Sequence, residues 1–321
     1  MRRPAKLVIW PLATLICAIL ISILALRAVG LLHAVRIMTK SQTTSSAPFS
    51  GKLRILTYNI CHCRGSDSNA GKVIGPRLVD ARLTGIAELI QREAPDIVVL
   101  NEVDFESTWT GRKNQAAALF DTAGLSYGAE QMNIDIRIPF LYTERFGNVV
   151  MSRYPIEEAS LVRLPAHHRW EALVAGHANA MLCRVQIPGF GPIHLFATHL
   201  ESRSEAIRVQ SVERIEDIRR SSKLPFILAG DLNSSPTGFP TSQQAHGKNA
   251  LTILLSGEGY ITLPRQSPAE SDYTGVYTGK PAVIDWILVP PDWTILSRRV
   301  IQADWSDHRP VVMDVALPSP Q

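Results

Sequence analysis

The sequence predicts an α/β domain with mixed β-sheets behind an apolar N-terminal segment. Three observations carry this. Short β-type runs alternate with amphipathic helical patterns along most of the 321 residues. Apolar residues make up 45 % and charged residues 19 %, enough for a core and too apolar for a disordered chain. No internal repeat, low-complexity tract or second linker divides residues 52–321, so they read as one large domain.

The N-terminus comes first. Leu7 to Leu26 is about twenty residues without a charge, and at ~1.5 Å per residue such a helix spans the ~30 Å hydrocarbon layer of a bilayer. Residues 1–40 therefore read as a membrane anchor. The alternative is a cleaved signal sequence ending at the small residues Ala28-Val29-Gly30. Arg2, Arg3 and Lys6 before the span and Arg27, Arg36 and Lys40 after it give a weak bias to a cytoplasmic N-terminus. On that reading the protein is single-pass in the cell membrane with its domain outside the cytoplasm, or is secreted if the signal is cleaved. Residues 41–51, polar and small, read as a linker, and the domain occupies 52–319.

Within the domain, strands are expected at 53–60, 96–103, 147–152, 193–200, 225–233, 283–289 and 311–317, and seven is a minimum. Leu83, Ile86, Ala87 and Ile90 mark a helix face stopped by Pro95; Ile207, Ser211, Ile215 and Ile218 mark another within 203–220. Strands without long helical crossovers near 181–200 and 283–317 imply mixed rather than purely parallel sheets. The stretches 62–76, 126–146 and 264–281 read as long connections.

Charge and cysteine content exclude some classes. The formal charge is +4, but residues 1–40 hold six bases and no acid, leaving 27 bases against 29 acids, or −2, in 41–321. A protein that tracks a polyanion usually carries a net basic surface, so nucleic acid is not the favoured partner. Cys17, Cys61, Cys63 and Cys183 cannot form a disulfide framework in a chain of this size. Cys61 and Cys63 with His62 lack the second ligand pair of a structural zinc site and read as ordinary thiols. His167, His168 and His177 read as solvated, and Trp109, Trp170, Tyr273 and Tyr277 as loop aromatics that either line a cleft or pack.

Polar residues recur where apolar runs end. Asn59 follows ILTY, Glu102 follows VVLN and His199 follows LFAT; Asp231 and Asn233 follow FILAG; Asp285 interrupts VI-WILV; Asp307-His308 precedes the last strand. Each alone reads as a turn or cap residue. A set of carboxylates, amides and histidines gathered at strand ends is hard to assign to turns alone.

TYNI at 57–60, NEVD at 101–104, GNVVMSRYPI at 147–156, ATHLES at 197–202, GDLNSSP at 230–236, IDWILV at 284–289 and SDHRPV at 306–311 stand in the order and spacing of the endonuclease/exonuclease/phosphatase superfamily, which the chain resembles over about 53–317. That resemblance implies a DNase I-like four-layer sandwich, two mixed β-sheets face to face with helices outside and the active site at one rim. It implies a hydrolase of phosphate esters in which Glu102, Asp307 and Asn59 bind Mg²⁺ (or Mn²⁺). By the same resemblance Asp231 would be the base for the attacking water, with Asn233 holding the water or a phosphate oxygen. His308, paired with Asp285, would contact the phosphoryl or leaving oxygen, and His199 would be a second phosphate contact. Oxygen donors suit a hard cation that offsets phosphoryl charge, and a carboxylate partner raises a histidine's pKa.

Three positions depart from the family pattern. Asn101 stands where Gln is commoner, with little expected effect. Cys61 replaces an Asp that assists the metal in some nucleases, which favours one metal ion. Trp286 replaces a frequent Tyr. The expectation is a membrane-anchored phosphoesterase whose partner is a lipid-linked or small phosphate ester; a DNA or RNA nuclease is the alternative, and a catalytically inactive anchored binding module the alternative of another class.

Overall fold

The computed structural model describes residues 6–32, 34–40, 49–66, 73–276 and 281–319; side chains are described from residue 13, apart from 15 and 31–32. The elements in chain order are α1 (Lys6–Leu32), β1 (Val35–Thr39), β2 (Lys52–Asn59), α2 (Pro76–Glu93), β3 (Ile97–Asp104), α3 (Gln115–Thr122), β4 (Tyr127–Ile138), β5 (Tyr142–Ser152), β6 (Ile156–Val162), α4 (Arg169–Val174), β7 (Ala180–Ile187), β8 (Gly191–His199), α5 (Glu205–Ser221), β9 (Phe226–Asp231), α6 (Ala250–Ser256), β10 (Asp285–Leu288), β11 (Thr294–Val300) and β12 (Val311–Ala316).

Two mixed sheets result. One has seven strands in the order β1-β4-β5-β3-β2-β12-β11, the other five in the order β10-β9-β8-β7-β6. Only β2/β3 and β8/β9 pair in parallel; the remaining pairs are antiparallel. The central strands are apolar on both faces because both are covered. In β2 and β3, Ile55, Ile97 and Val99 point at the other sheet and meet Met181, Leu195, Ile227 and Ile287. Their neighbours Leu56, Val98 and Leu100 point outward onto Leu83, Ile86 and Ile90 of α2 and Leu119 of α3. Leu228 and Phe196 of the second sheet likewise pack on Val212 and Ile215 of α5 and Leu251 and Leu254 of α6. This is the expected helix–sheet–sheet–helix layering.

Two segments differ from the sequence expectation. Val35–Thr39, assigned to the anchor region, pairs with β4 as the edge strand of the larger sheet, so the sheet takes in residues ahead of Lys52. Residues 126–146 are mostly a β-hairpin, β4 and β5 paired from Tyr127↔Ser152 to Ile138↔Tyr142, not an open connection. Among the described residues no helix is long and apolar enough to cross a membrane. The 7–26 run lies within α1, and the side chains of its first six residues fall outside the described set.

Candidate active site

Strand direction gathers the predicted residues. β2 and β3 run in parallel and end at one rim with Asn59 and Glu102; β8 and β9 do the same with His199 and Asp231. β10 returns antiparallel to β9, so its first residue, Asp285, sits opposite Asp231. β12 starts beside Thr57, which brings the preceding Asp307-His308 to the same rim.

Asp231 is the meeting point. Asn59 Nδ2 donates to Asp231 Oδ2 (3.0 Å) and to Glu102 Oε1 (3.0 Å). His199 Nε2 stands 3.5 Å from Asp231 Oδ2 and 3.8 Å from Glu102 Oε1, and His308 Nε2 stands 3.8 Å from Asp231 Oδ2. The Asn233 backbone N–H donates to Asp231 Oδ1 (2.9 Å), and its side-chain amide donates to the Leu200 carbonyl (3.0 Å). Burial and the nearby Asp285 charge push the Asp231 carboxyl above its ordinary range, opposed by His308 and His199.

His308 Nδ1 donates to Asp285 Oδ2 (2.8 Å). Burial works against its charge, but Asp285 and Asp231 outweigh burial and hold the imidazole well above its usual pKa. Asp231, Asp285 and His308 hold potential metal-donor atoms within 4.8 Å of one another. In that trio His308 has Nδ1 on Asp285 and Nε2 facing Asp231, an arrangement suited to acid–base chemistry.

Glu102 and Asp307 flank Cys61, whose thiol hydrogen-bonds Asp307 and is pushed far up by burial and by both carboxylates. It stays a thiol and leaves the hard oxygens as the donors there. Glu102 is half-buried, which opposes ionisation; the hydrogen bond and charge of His62, with help from His199 and Asn59, hold it below the usual carboxylate range. The Asn59 amide is oriented by the Cys61 N–H, which donates to Asn59 Oδ1 (2.9 Å), so its hydrogens face the two carboxylates.

Sequence reasoning missed two residues. His62 is buried, with Nδ1 donating to Asp104 Oδ1 (2.8 Å) and Nε2 facing Glu102 Oε2 (3.0 Å). Trp109 Nε1 (3.1 Å) and the Thr110 hydroxyl also donate to Asp104, and the Trp109 ring packs 4.8 Å from that of His62. Asn101 is likewise more than a neighbour of Glu102. Its Oδ1 accepts from the Asp231 N–H (2.9 Å) while its Nδ2 donates to Asn148 (2.8 Å) and to the Thr198 carbonyl (3.1 Å), tying the two sheets together under the base. The available signal was the pair of polar residues at odd spacing in NEVD and in NICH.

The remaining candidates sort simply. His177 is half-buried and donates to the Leu164 carbonyl (2.9 Å) rather than being solvated. His167 and His168 line a cleft of about 280 Å³ that reaches His199. Trp170 is exposed, Tyr273 packs on the outer core, and Tyr277 lies outside the described residues.

Comparison with known proteins decides the family. The model of the Endonuclease/Exonuclease/phosphatase family matches residues 56–308. The chain belongs to this family. Its members hydrolyse phosphate esters and generally depend on a divalent metal. Among solved structures, an endonuclease/exonuclease/phosphatase from Beutenbergia cavernae is similar at 25 % identity and TM-score 0.62, over 83 % of this chain and 72 % of that one. The human Nocturnin catalytic domain with bound sulfate is similar at 17 % identity and TM-score 0.59, over 88 % and 97 %. The mannosyl-6-phosphatase of Bacteroides thetaiotaomicron is similar at 18 % identity and TM-score 0.55, over 82 % and 99 %. No curated protein matches the chain significantly.

Proposed function

We propose that this chain is a membrane-anchored, divalent-metal-dependent phosphoesterase that cleaves a lipid-linked or small phosphate ester with activated water. The observation that carries the reading is the convergence on Asp231 of Asn59, His199 and the His308–Asp285 pair. A buried carboxylate with raised pKa is a stronger base, and Asp231 takes a proton from the attacking water at a carboxylate oxygen. His308 keeps Nδ1 on Asp285 and presents Nε2–H to the phosphoryl or leaving oxygen. His199 provides a second phosphate contact, and Asn233, a neutral amide, approaches the substrate without repelling its charge. Glu102 and Asp307 would hold Mg²⁺ or Mn²⁺, with Asn59 and His62 orienting Glu102. Bound there, the cation offsets charge on the phosphoryl oxygens. The donor set fits a hard ion, because Glu102 is held ionised and Cys61 is held neutral.

The anchor rests on the uncharged 7–26 run and on the exposed Ile16, Leu20, Ile21 and Leu24 of α1. Catalysis is tested on the full chain in mild detergent, using chromogenic phosphate diesters and monoesters. Activity is expected with Mg²⁺, lost with EDTA and restored by added metal. Asp231→Asn is expected to lower turnover by ~10²–10⁴-fold with an unchanged circular dichroism spectrum. Inactivity of the unsubstituted protein on every ester with both Mg²⁺ and Mn²⁺ would favour an anchored binding module.

A further inference from the structure

The rim that carries the site also carries exposed apolar residues. Phe140 and Leu141 form the tip of the β4–β5 hairpin and are 103 % and 72 % exposed; Trp170 and Leu173 of α4 are 66 % and 67 % exposed. Four large apolar side chains in two neighbouring segments are unusual on a surface that faces only water. Their position follows from register. Asp104 pairs with Phe146 in β5, and the hairpin continues from there to its tip, on the side where β3 presents Glu102. Ile134 of β4 bridges Gly176 just beyond α4, and the cleft between α4 and the hairpin leads to His199.

The direction of α1 says what covers this surface. β1 runs antiparallel to β4 with Val35 opposite Gln131, and Gly30 lies against Asp135 and Arg137. Traced toward its N-terminus, α1 therefore runs along β4 toward the hairpin tip. Arg27 and Leu173 line one cavity between α1 and α4. The residues of α1 before Arg27 add ~30 Å of helix beyond that contact, past the ~15 Å that four or five hairpin residues span. An apolar helix leaving the domain on the catalytic side brings that side against whatever the helix enters. Arg169, beside Trp170 in α4, and Arg163, which lines the same cavity as Leu173, are both exposed, and cations next to apolar side chains suit phosphate headgroups above acyl chains.

We infer that the Phe140-Leu141 hairpin tip and the Trp170/Leu173 face of α4 dock into the lipid bilayer beside α1, so that the catalytic rim faces the membrane and takes its phosphate ester from the headgroup layer. This deepens the proposed function and rests on its anchored phosphoesterase reading. The occupant is a bilayer, not a second copy of the chain.

The test uses the full chain reconstituted in vesicles of phosphatidylcholine and phosphatidylglycerol. A benzophenone amino acid is placed at Phe140, at Trp170 or at Lys52, which is exposed at the opposite end of β2. Photolysis is expected to give lipid adducts from positions 140 and 170 and none from 52. Absence of lipid adducts at 140 and 170, or chain-to-chain crosslinks there instead, would overturn the docking surface. A second arm compares Phe140→Ser/Leu141→Ser with the unsubstituted protein on two p-nitrophenyl phosphate diesters, one water-soluble and one carrying a long alkyl chain in the same vesicles. The expected result is a loss of at least about tenfold on the embedded ester, from the lost apolar insertion, with the soluble ester cleaved as before; equal effects on both would overturn the link to substrate. If neither ester is cleaved by the unsubstituted chain, the catalytic reading fails while the adducts still decide the docking.

Discussion

Between Asp104 and Glu102, His62 uses both ring nitrogens. Burial alone would keep it neutral, but the charges and hydrogen bonds of Asp104 and Glu102 push its pKa up to about 10. The donor on Glu102 fixes which way that carboxylate turns. Partners of this kind typically change metal affinity by ~10–100-fold when removed. His62→Gln is expected to raise the Mg²⁺ concentration for half-maximal activity within that range, with kcat at saturating metal falling less; an unchanged Mg²⁺ requirement in a titration would show that Glu102 needs no such support. The eight candidate residues stand out in the sequence because each ends, begins or interrupts an apolar run. His62 was not, since its two contacts lie 40 and 42 positions away and depend on left-handed backbone at Cys61, His62 and Cys63, which leaves no periodic trace.

At the scale of elements, β9 shows how strand and site are coupled. Gly230 has φ +141°, and a Cβ there would meet the Thr198 carbonyl of β8. Both the backbone angle and the close approach require glycine at this point. Gly230→Ala is expected to destabilise the domain by ~1–3 kcal/mol through strain alone and to displace Asp231, so that turnover falls further than thermal stability at a temperature where the protein stays folded. Parallel measurement of melting and activity checks this; full activity in a folded variant would mean that the strand end tolerates the shift. The same physics explains which strands the sequence revealed. β2, β3 and β9 are covered on both faces and read as continuous apolar runs, whereas β6, β11 and much of β4 alternate or face water on one side. β1 is a five-residue edge strand, mostly exposed, and follows directly on an apolar helix that masks it in composition.

For the whole molecule, the N-terminal segment and the charge balance together constrain the substrate. If α1 is retained and spans the bilayer, the protein sediments with membranes and resists carbonate extraction; release of a soluble species beginning near residue 31 would show cleavage instead. The charge balance gives the sharper test. Binding that neutralises Z phosphates weakens with a slope of about −0.9Z in log salt, so one or two contacts cost only roughly three- to twelvefold between 50 and 200 mM salt, against ~10³–10⁵-fold for six to ten. Residues 41–321 carry a formal −2, and Arg203 and Arg208 are already paired with Glu171, Glu201 and Glu205. Few cations remain near the cleft to follow a duplex. KM for the preferred phosphate ester is therefore expected to rise by no more than roughly twelvefold over that salt range, and supercoiled plasmid is expected to be nicked far more slowly than a lipid or small ester is cleaved. A steep salt dependence together with rapid nicking in Mg²⁺ would instead assign the site to a nuclease.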